Sequence, residues 1–146
     1  MAEASFSLDA RQFERGLRRW VGRLSDESKQ AARRTGVRVQ NEARRLAPVD
    51  TGRLRSSIVH RAEDRGRTYT VTVGTNVYYA EFVERGTAPH RIYPRFKQAL
   101  YWPGAMHPVA YVDHPGTAPQ PFLAPAIAMA ETWLREELER AGRRVR

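Results

Sequence analysis

The chain has 146 residues, no cysteine and a formal net charge of +9, of which arginine supplies nearly all the positive part. That length suits one domain with a hydrophobic core, and the absence of thiols excludes disulfide bonds, cysteine nucleophiles and cysteine zinc ligands. No segment approaches the roughly 18 consecutive apolar residues of a membrane span, and the N-terminus lacks the apolar run of a signal peptide, so we expect a single domain, residues 1–146, made in the cytoplasm without a membrane partner.

The N-terminal third predicts helix over residues 9–47, after a short arm at residues 1–8. Asp9 is a suitable N-cap, and Pro48 biases the residue before it away from helix. Residues 25–28 could interrupt the helical pattern, so one long helix and a pair of helices fit equally well. Apolar residues recur at helical spacing on one face of the first part; they are Phe13, Leu17, Trp20, Val21 and Leu24.

A turn follows the helical region. Pro48 presets φ, Asp50 and Thr51 can bond their own backbone, and Gly52 accepts unusual φ values. This chemistry predicts a sharp exit from the helix, after which Leu54 begins the next element.

Residues 54–74 predict an antiparallel β-hairpin. Its second strand, residues 68–74, is β-branched and aromatic and alternates in polarity. Residues 65–67 are typical of the connecting turn, and Gly74 ends the second strand.

The region after the hairpin is ambiguous over residues 78–85 and then predicts a long loop. Tyr79, Phe82 and Val83 fit a helix over residues 78–85, and Gly86 is well placed to end it. Residues 87–121 are rich in proline and predict a loop or arm. Short strands can sit in it near residues 91–93, 99–102 and 109–112.

The last element is a helix over residues 122–142. Pro121 or Pro125 suits its first turn, and Gly142 is expected to end it. Its predicted buried stripe consists of Ile127, Ala130, Trp133, Leu134 and Leu138, with the glutamates, Glu137 among them, on the wet side. The fold class is therefore α+β, with this C-terminal helix packed on a small antiparallel sheet.

The sequence offers no convincing catalytic or metal constellation. His90, His107 and His114, with Asp113, lie in the loop without helical ligand spacing. Ser56 and Ser57 lack a nucleophile elbow. Glu81 and Glu84 are expected on a solvated face or in salt bridges. We therefore predict no enzyme activity, no cofactor and no metal.

Two alternatives remain open from the residues alone. A small basic nucleic-acid-binding module would use the arginine pairs of the helical region, Arg33, Arg34, Arg44 and Arg45. A metal-free, toxin-like ribonuclease would use loop residues, namely His90, Arg91, Tyr93, Arg95 and Lys97.

Four short stretches also occur in a distinctive order. They are Ala47–Leu54 with Ser56–Ile58, Val73–Ala80, Val83–Thr87 and Pro119–Ala126. Together they resemble the neck or tail-completion family, the head–tail joining proteins of long-tailed double-stranded DNA bacteriophages, over about residues 8–142.

The resemblance implies a structural virion protein at the neck. It would join the DNA-filled head to the tail as a homo-oligomeric ring, six-fold by analogy with neighbouring rings. Its implied partners are other copies of itself, head-closure or adaptor proteins on the head side, and a tail-terminator or tail-tube protein on the tail side. The positive charge suits either non-specific contact with passing DNA or acidic partner surfaces.

The resemblance also divides the candidate residues into a structural motif and a set of interface residues. A structural motif is implied for Pro48, Asp50, Thr51, Gly52, Leu54, Gly74, Tyr78, Tyr79, Gly86, Pro121, Phe122 and Leu123, the aromatics being expected in the core. Residues 97–114 depart from the family pattern and look like an elaborated arm. Candidate interface residues in the arm region are Arg91, Tyr93, Phe96, Tyr101, Trp102, His107, Tyr111 and His114.

Overall fold

The computed structural model describes residues 10–66 and 68–145. The predicted arm at residues 1–8, the Asp9 cap, Arg67 of the hairpin turn and Arg146 lie outside the described residues. In chain order the elements are α1 (Ala10–Leu46), α2 (Arg53–Ser57), β1 (Val59–Asp64), β2 (Tyr69–Gly74), α3 (Ala80–Arg85), β3 (His90–Ile92), β4 (Val112–His114), α4 (Leu123–Ala128) and α5 (Ala130–Arg144). The α+β prediction is confirmed.

The N-terminal region is one helix of 37 residues rather than two. Ser28, at the suspected interruption, donates its hydroxyl to the carbonyl oxygen of Leu24 at 2.7 Å. This bond is made within the helix, so the serine does not cap a new helix start. The helix ends at Leu46, two residues before Pro48, as the proline predicts.

The predicted first strand begins too early. Residues 54–57 belong to α2, in which Ser56 N–H donates to the carbonyl oxygen of Gly52 at 3.0 Å. The Ser57 hydroxyl donates to Leu54 O at 2.7 Å and further satisfies this turn. The hairpin itself therefore spans residues 59–74, with β1 and β2 antiparallel and Val59 opposite Gly74.

The hairpin packs against the middle of α1. Tyr69, Val71 and Val73 lie on the more buried face of β2, as their alternation predicts. Gly36 of α1 makes the close approach possible, because a Cβ there would lie 2.4 Å from Cγ1 of Val71. The core around this contact consists of Val39, Ala43, Ala47, Leu54, Ile58, Val77, Ala80, Phe122 and Ala126.

The C-terminal helical region differs from its prediction in three respects. It is divided at Met129 into α4 and α5, and α5 lies mainly along α1 rather than on the sheet. Gly142 lies inside α5, which continues to Arg144 because Ala141 and Val145 are buried on either side of it. That packing outweighs the cost of about 1 kcal/mol for a helical glycine.

The predicted buried stripe of this region is also wrong in part. Ile127 and Leu138 are exposed, whereas Glu137 and Ala141 are buried. The helix is rotated so that Glu137 meets Arg34 of α1 at 2.7 Å and Ala141 is buried with it.

Candidate assembly surfaces

Residues 87–117 form a folded ribbon rather than an open loop. At its base Thr87 and Thr117 pair through two backbone hydrogen bonds of 3.0 and 3.1 Å, and their hydroxyls lie 2.8 Å apart. Strands β3 and β4 continue this ladder, with His90 opposite His114. The ribbon is therefore an antiparallel hairpin that holds its own shape.

The two faces of the ribbon carry different side chains. On one face Arg91 pairs with Asp113 at 2.8 Å and stacks on the ring of Tyr111, 4.7 Å from its centroid. The ring centroids of Tyr93 and Tyr111 are 6.0 Å apart on this face. The other face carries His90 and His114, whose ring centroids are 5.1 Å apart.

The outer part of the ribbon is an aromatic tip. Leu100 and Val109 exchange backbone hydrogen bonds of 2.8 and 3.0 Å, and Gly104 turns the chain with φ of 95°. Phe96 and Met106 are each 98% exposed. Three of the remaining candidates are also exposed here: Tyr101, Trp102 and His107.

The ribbon makes little use of the protein core. Residues 81–121, every one of which the structure describes, include none that is buried. Exposed aromatic surface on a folded hairpin is unusual for an isolated monomer and is typical of an interaction site. The ribbon thus collects all eight candidate interface residues on one exposed element.

A carboxylate joins α3 to the start of α4. Glu84 accepts backbone hydrogen bonds from Phe122, Leu123 and Ala124 at 2.8, 2.9 and 2.8 Å. Burial of this carboxyl raises its pKa, but the three N–H donors outweigh burial, so the pKa lies below its ordinary value. The expectation of a solvated or salt-bridged carboxylate is therefore wrong for Glu84, although Glu81 does pair with Arg85 at 3.0 Å.

The structural-motif residues lie at the junctions around the core. Gly52 has φ of 79° and leads into α2, where Leu54 is buried. Pro48, Asp50 and Thr51 precede it in the turn after α1, and Gly74 ends β2. Pro121 precedes the buried Phe122 and the half-buried Leu123.

The aromatics before and within α3 are less buried than expected. Tyr78 is 82% exposed, and Phe82 is also exposed, whereas Tyr79 packs against the core. Only one face of this short helix meets the core, through Ala80, so the side chains on the other face remain outside. Gly86 ends α3 with φ of 73°, as predicted.

The arginine pairs of α1 are engaged within the protein. Arg34 binds Glu137 at 2.7 Å, and Arg45 binds Glu42 at 2.6 Å. Arg44 donates two hydrogen bonds to the carbonyl oxygen of Ile58 at 3.0 and 2.7 Å. Arg33 donates to the Tyr69 hydroxyl. Arg33, Arg34 and Arg44 therefore join α1 to other elements, whereas Arg45 pairs within α1.

The pairing of α1 with α5 centres on Glu137. Its side chain is only 6% exposed and lies between Arg34 at 2.7 Å and Arg140 at 2.8 Å. The hydrogen bond from Arg34 holds the pKa of this carboxyl below its ordinary value. Arg38 adds a bond of 2.8 Å to Glu136 and stacks over Trp133, 4.7 Å from the ring centroid.

The described residues contain neither a cluster of metal ligands nor a membrane-spanning helix. Across residues 10–66 and 68–145, no three His, Cys, Asp or Glu side chains cluster so as to hold a metal ion. No helix within the same ranges combines the length and apolarity needed to cross a bilayer.

The fold thus combines a helical core with an exposed aromatic ribbon. A sequence model of the family described as "Bacteriophage HK97-gp10, putative tail-component" matches residues 11–86, more than half of the chain. The chain therefore belongs to the HK97-gp10-like family and is a structural tail component of a bacteriophage. No curated protein and no solved structure gives a significant match. The matched residues end at Gly86, where the ribbon begins.

Proposed function

We propose that the protein forms a ring in the neck of a long-tailed bacteriophage, where it joins the DNA-filled head to the tail. The ribbon carries this proposal, because it is folded, exposed and rich in aromatic side chains. A preformed hairpin can add to a neighbour's sheet edge or lie against its surface with little ordering cost. Membership of a phage tail-component family supports the same role.

The proposed partners lie on both sides of the ring. Head-closure or adaptor proteins meet it on the head side, and a tail-terminator or tail-tube protein meets it on the tail side. Copies of the chain contact each other head to tail, so each contact joins two different surfaces.

The bonding of the arginines favours this structural role over a nucleic-acid-binding module. Arg33, Arg34, Arg44 and Arg45 all have partners within the chain. Arg34 and Arg44 are half-buried in these bonds, whereas a module that reads nucleic acid would present such cations to phosphates.

The ribbon geometry likewise disfavours the ribonuclease alternative. His90 and Arg91 are neighbours in β3, so their side chains point to opposite faces. Arg91 is also paired with Asp113. The candidate residues thus do not converge on one substrate.

The test is electron microscopy of lysates from a phage that lacks this gene. The expected result is separate DNA-filled heads and free tails, with joined particles restored by the intact gene. In a shortened gene, the dipeptide Asn-Gly replaces residues 94–110 between Tyr93 and Tyr111. This shortened gene should fail to restore joined particles. That dipeptide suits a two-residue hairpin turn and retains the β3–β4 ladder.

Two results would count against the proposal. Normal infectious particles without the gene would exclude the neck role. Full restoration by the shortened gene, with the neck role intact, would exclude residues 94–110 of the ribbon as the joining surface.

A further inference from the structure

The first part of α1 extends beyond the rest of the described protein. α5 runs antiparallel to α1, because Glu137 pairs with Arg34 at 2.7 Å and Arg144 pairs with Glu27 at 3.6 Å. The end of α5 therefore lies level with Glu27. Residues 10–26 continue past it for roughly 25 Å, at 1.5 Å per helical residue.

This projecting segment carries an uncovered apolar stripe. We call the stripe the donor face; it consists of Phe13, Leu17, Trp20, Val21 and Leu24. Residues 11–23 are all exposed, and Phe13 is 65% exposed. Leu17, Leu24 and the fully buried Ala31 follow each other at two-turn spacing. The donor face thus continues the same side of α1 that α5 covers further along.

A second apolar surface lies open on the body. A groove of about 530 Å³ runs between α1, β2 and the α4–α5 region, and Val71, Val73, Ile127 and Leu134 line it. It continues along α5 past Leu134 to the exposed Leu138. We call this surface the acceptor groove.

The donor face cannot fill the acceptor groove of its own chain. α1 is one continuous helix, and its middle forms one wall of the groove while its N-terminal part leads away. Among the described residues, this segment can therefore fill only the groove of another molecule.

The charges of the two surfaces are complementary. The projecting segment carries two acids, Glu14 and Asp26, among five arginines: Arg11, Arg15, Arg18, Arg19 and Arg23. The acceptor groove is bordered along α5 by Glu131 and Glu139, with one cation, Arg135. Two donor faces packed together would bring their arginines into repulsion, whereas the groove offers carboxylates.

We infer that the donor face of one copy docks in the acceptor groove of a second copy. This contact rests on the proposed ring and supplies its head-to-tail joint, since each chain holds one donor and one acceptor. An amphipathic helix in an apolar groove is an established recognition mode. The contact also stabilises a helical segment whose residues 11–23 are all exposed in the described protein.

The test uses the absence of cysteine from the chain. Leu17→Cys and Leu138→Cys, made in separate full-length chains with different tags, are mixed and treated with a short bismaleimide. We expect a covalent heterodimer, on the order of tenfold above a matched control, because docking raises the effective concentration of the pair. The control replaces Leu17→Cys by Gly22→Cys, which lies on the opposite side of α1 in open space.

Each other outcome overturns the inference. Homodimers from Leu17→Cys alone would show that donor faces pair with each other. Equal yields from the Gly22→Cys control would show random collision. No product either in concentrated purified protein or in phage particles would show that the two surfaces do not meet.

Failure of this contact is distinguishable from failure of the neck role. If a phage without the gene gives unjoined heads and tails but the cross-linking gives no Leu17–Leu138 product, only the proposed contact is excluded. If purified protein gives the Leu17–Leu138 product but a phage without the gene forms normal particles, only the neck role is excluded.

Discussion

Gly86 and Gly116 lie on the two strands at the base of the ribbon, and each packs against the backbone of the other strand. A Cβ at Gly86 would lie 2.4 Å from the carbonyl oxygen of Thr117, and one at Gly116 would lie 2.1 Å from that of Thr87. Both glycines also have φ in the left-handed region, 73° and 84°. The close approach of the two strands therefore depends on the absence of side chains at both positions.

Gly116→Ala is expected to open the base of the ribbon. The substitution adds about 1–3 kcal/mol of local strain, which corresponds to about ten- to hundredfold faster amide exchange at Thr87 and Thr117. Hydrogen exchange measures this directly. Gly142→Ala is the control, because a Cβ there meets nothing and α5 gains up to about 1 kcal/mol. Unchanged amide exchange at both threonines in Gly116→Ala would contradict this close packing at the base of the ribbon.

Glu84→Gln is expected to weaken the link between α3 and α4. The amide nitrogen would face backbone N–H groups that now donate to a carboxylate. Loss of these bonds should lower the free energy of unfolding by about 1–3 kcal/mol in denaturant titrations. Glu81→Gln, at the exposed neighbouring pair with Arg85, should cost less than about 1 kcal/mol. Equal costs would show that Glu84 does not hold the start of α4.

The same carboxylate makes stability depend on pH. Because the folded pKa of Glu84 lies below its ordinary value, its contribution is complete above the unfolded glutamate pKa of about 4.3. The contribution is lost as pH falls from there through the folded pKa. Unfolding free energies measured between neutral pH and about pH 3 should therefore fall less steeply for Glu84→Gln. Parallel pH curves for the two proteins would contradict this linkage.

Glu137→Ala is expected to destabilise the α1–α5 contact strongly. The change removes the buried carboxylate and leaves the half-buried Arg34 without its nearest partner, at a cost of about 1–3 kcal/mol. Glu131→Ala removes an exposed pair with Arg135 on the same helix and should cost less than about 1 kcal/mol. Thermal unfolding of the two variants gives the comparison, and similar melting temperatures would argue against a structural role for Glu137.

Two phenylalanines should separate folding from assembly. Phe122 is 1% exposed, so Phe122→Ala should lower the free energy of unfolding by about 3–5 kcal/mol. Phe96 is 98% exposed, so Phe96→Ala should change it by less than about 0.5 kcal/mol. We expect Phe96→Ala nevertheless to reduce the titre of a complemented phage. A normal titre would show that Phe96 makes no partner contact.

The sequence predicts those parts of the fold that depend on neighbours along the chain. Helical periodicity, the proline after α1, the alternation of β2 and the glycine after α3 all act within a few residues. These signals give the α+β class and the ends of α1, β2 and α3. They failed at residues 54–57, where two serine hydroxyls bond within one helical turn.

Contacts between distant residues could not be predicted in this way. Glu84 meets Phe122 38 residues later, and Arg34 meets Glu137 103 residues later. On α5 the observed burial is the reverse of the expected one. Glu137, which pairs with Arg34, lies inward, and Leu138 lies outward. The ribbon was expected only as a loop with short strands, because the register of His90 with His114 depends on tertiary folding.

Gold labelling of intact particles tests the neck position most directly. A phage whose copy of this protein carries a C-terminal affinity tag is labelled with gold and viewed by electron microscopy. The neck role predicts gold at the junction of head and tail, with the same particles untagged as the control. Gold along the tail tube or at the tail tip would contradict the neck position and leave a tail component of another kind.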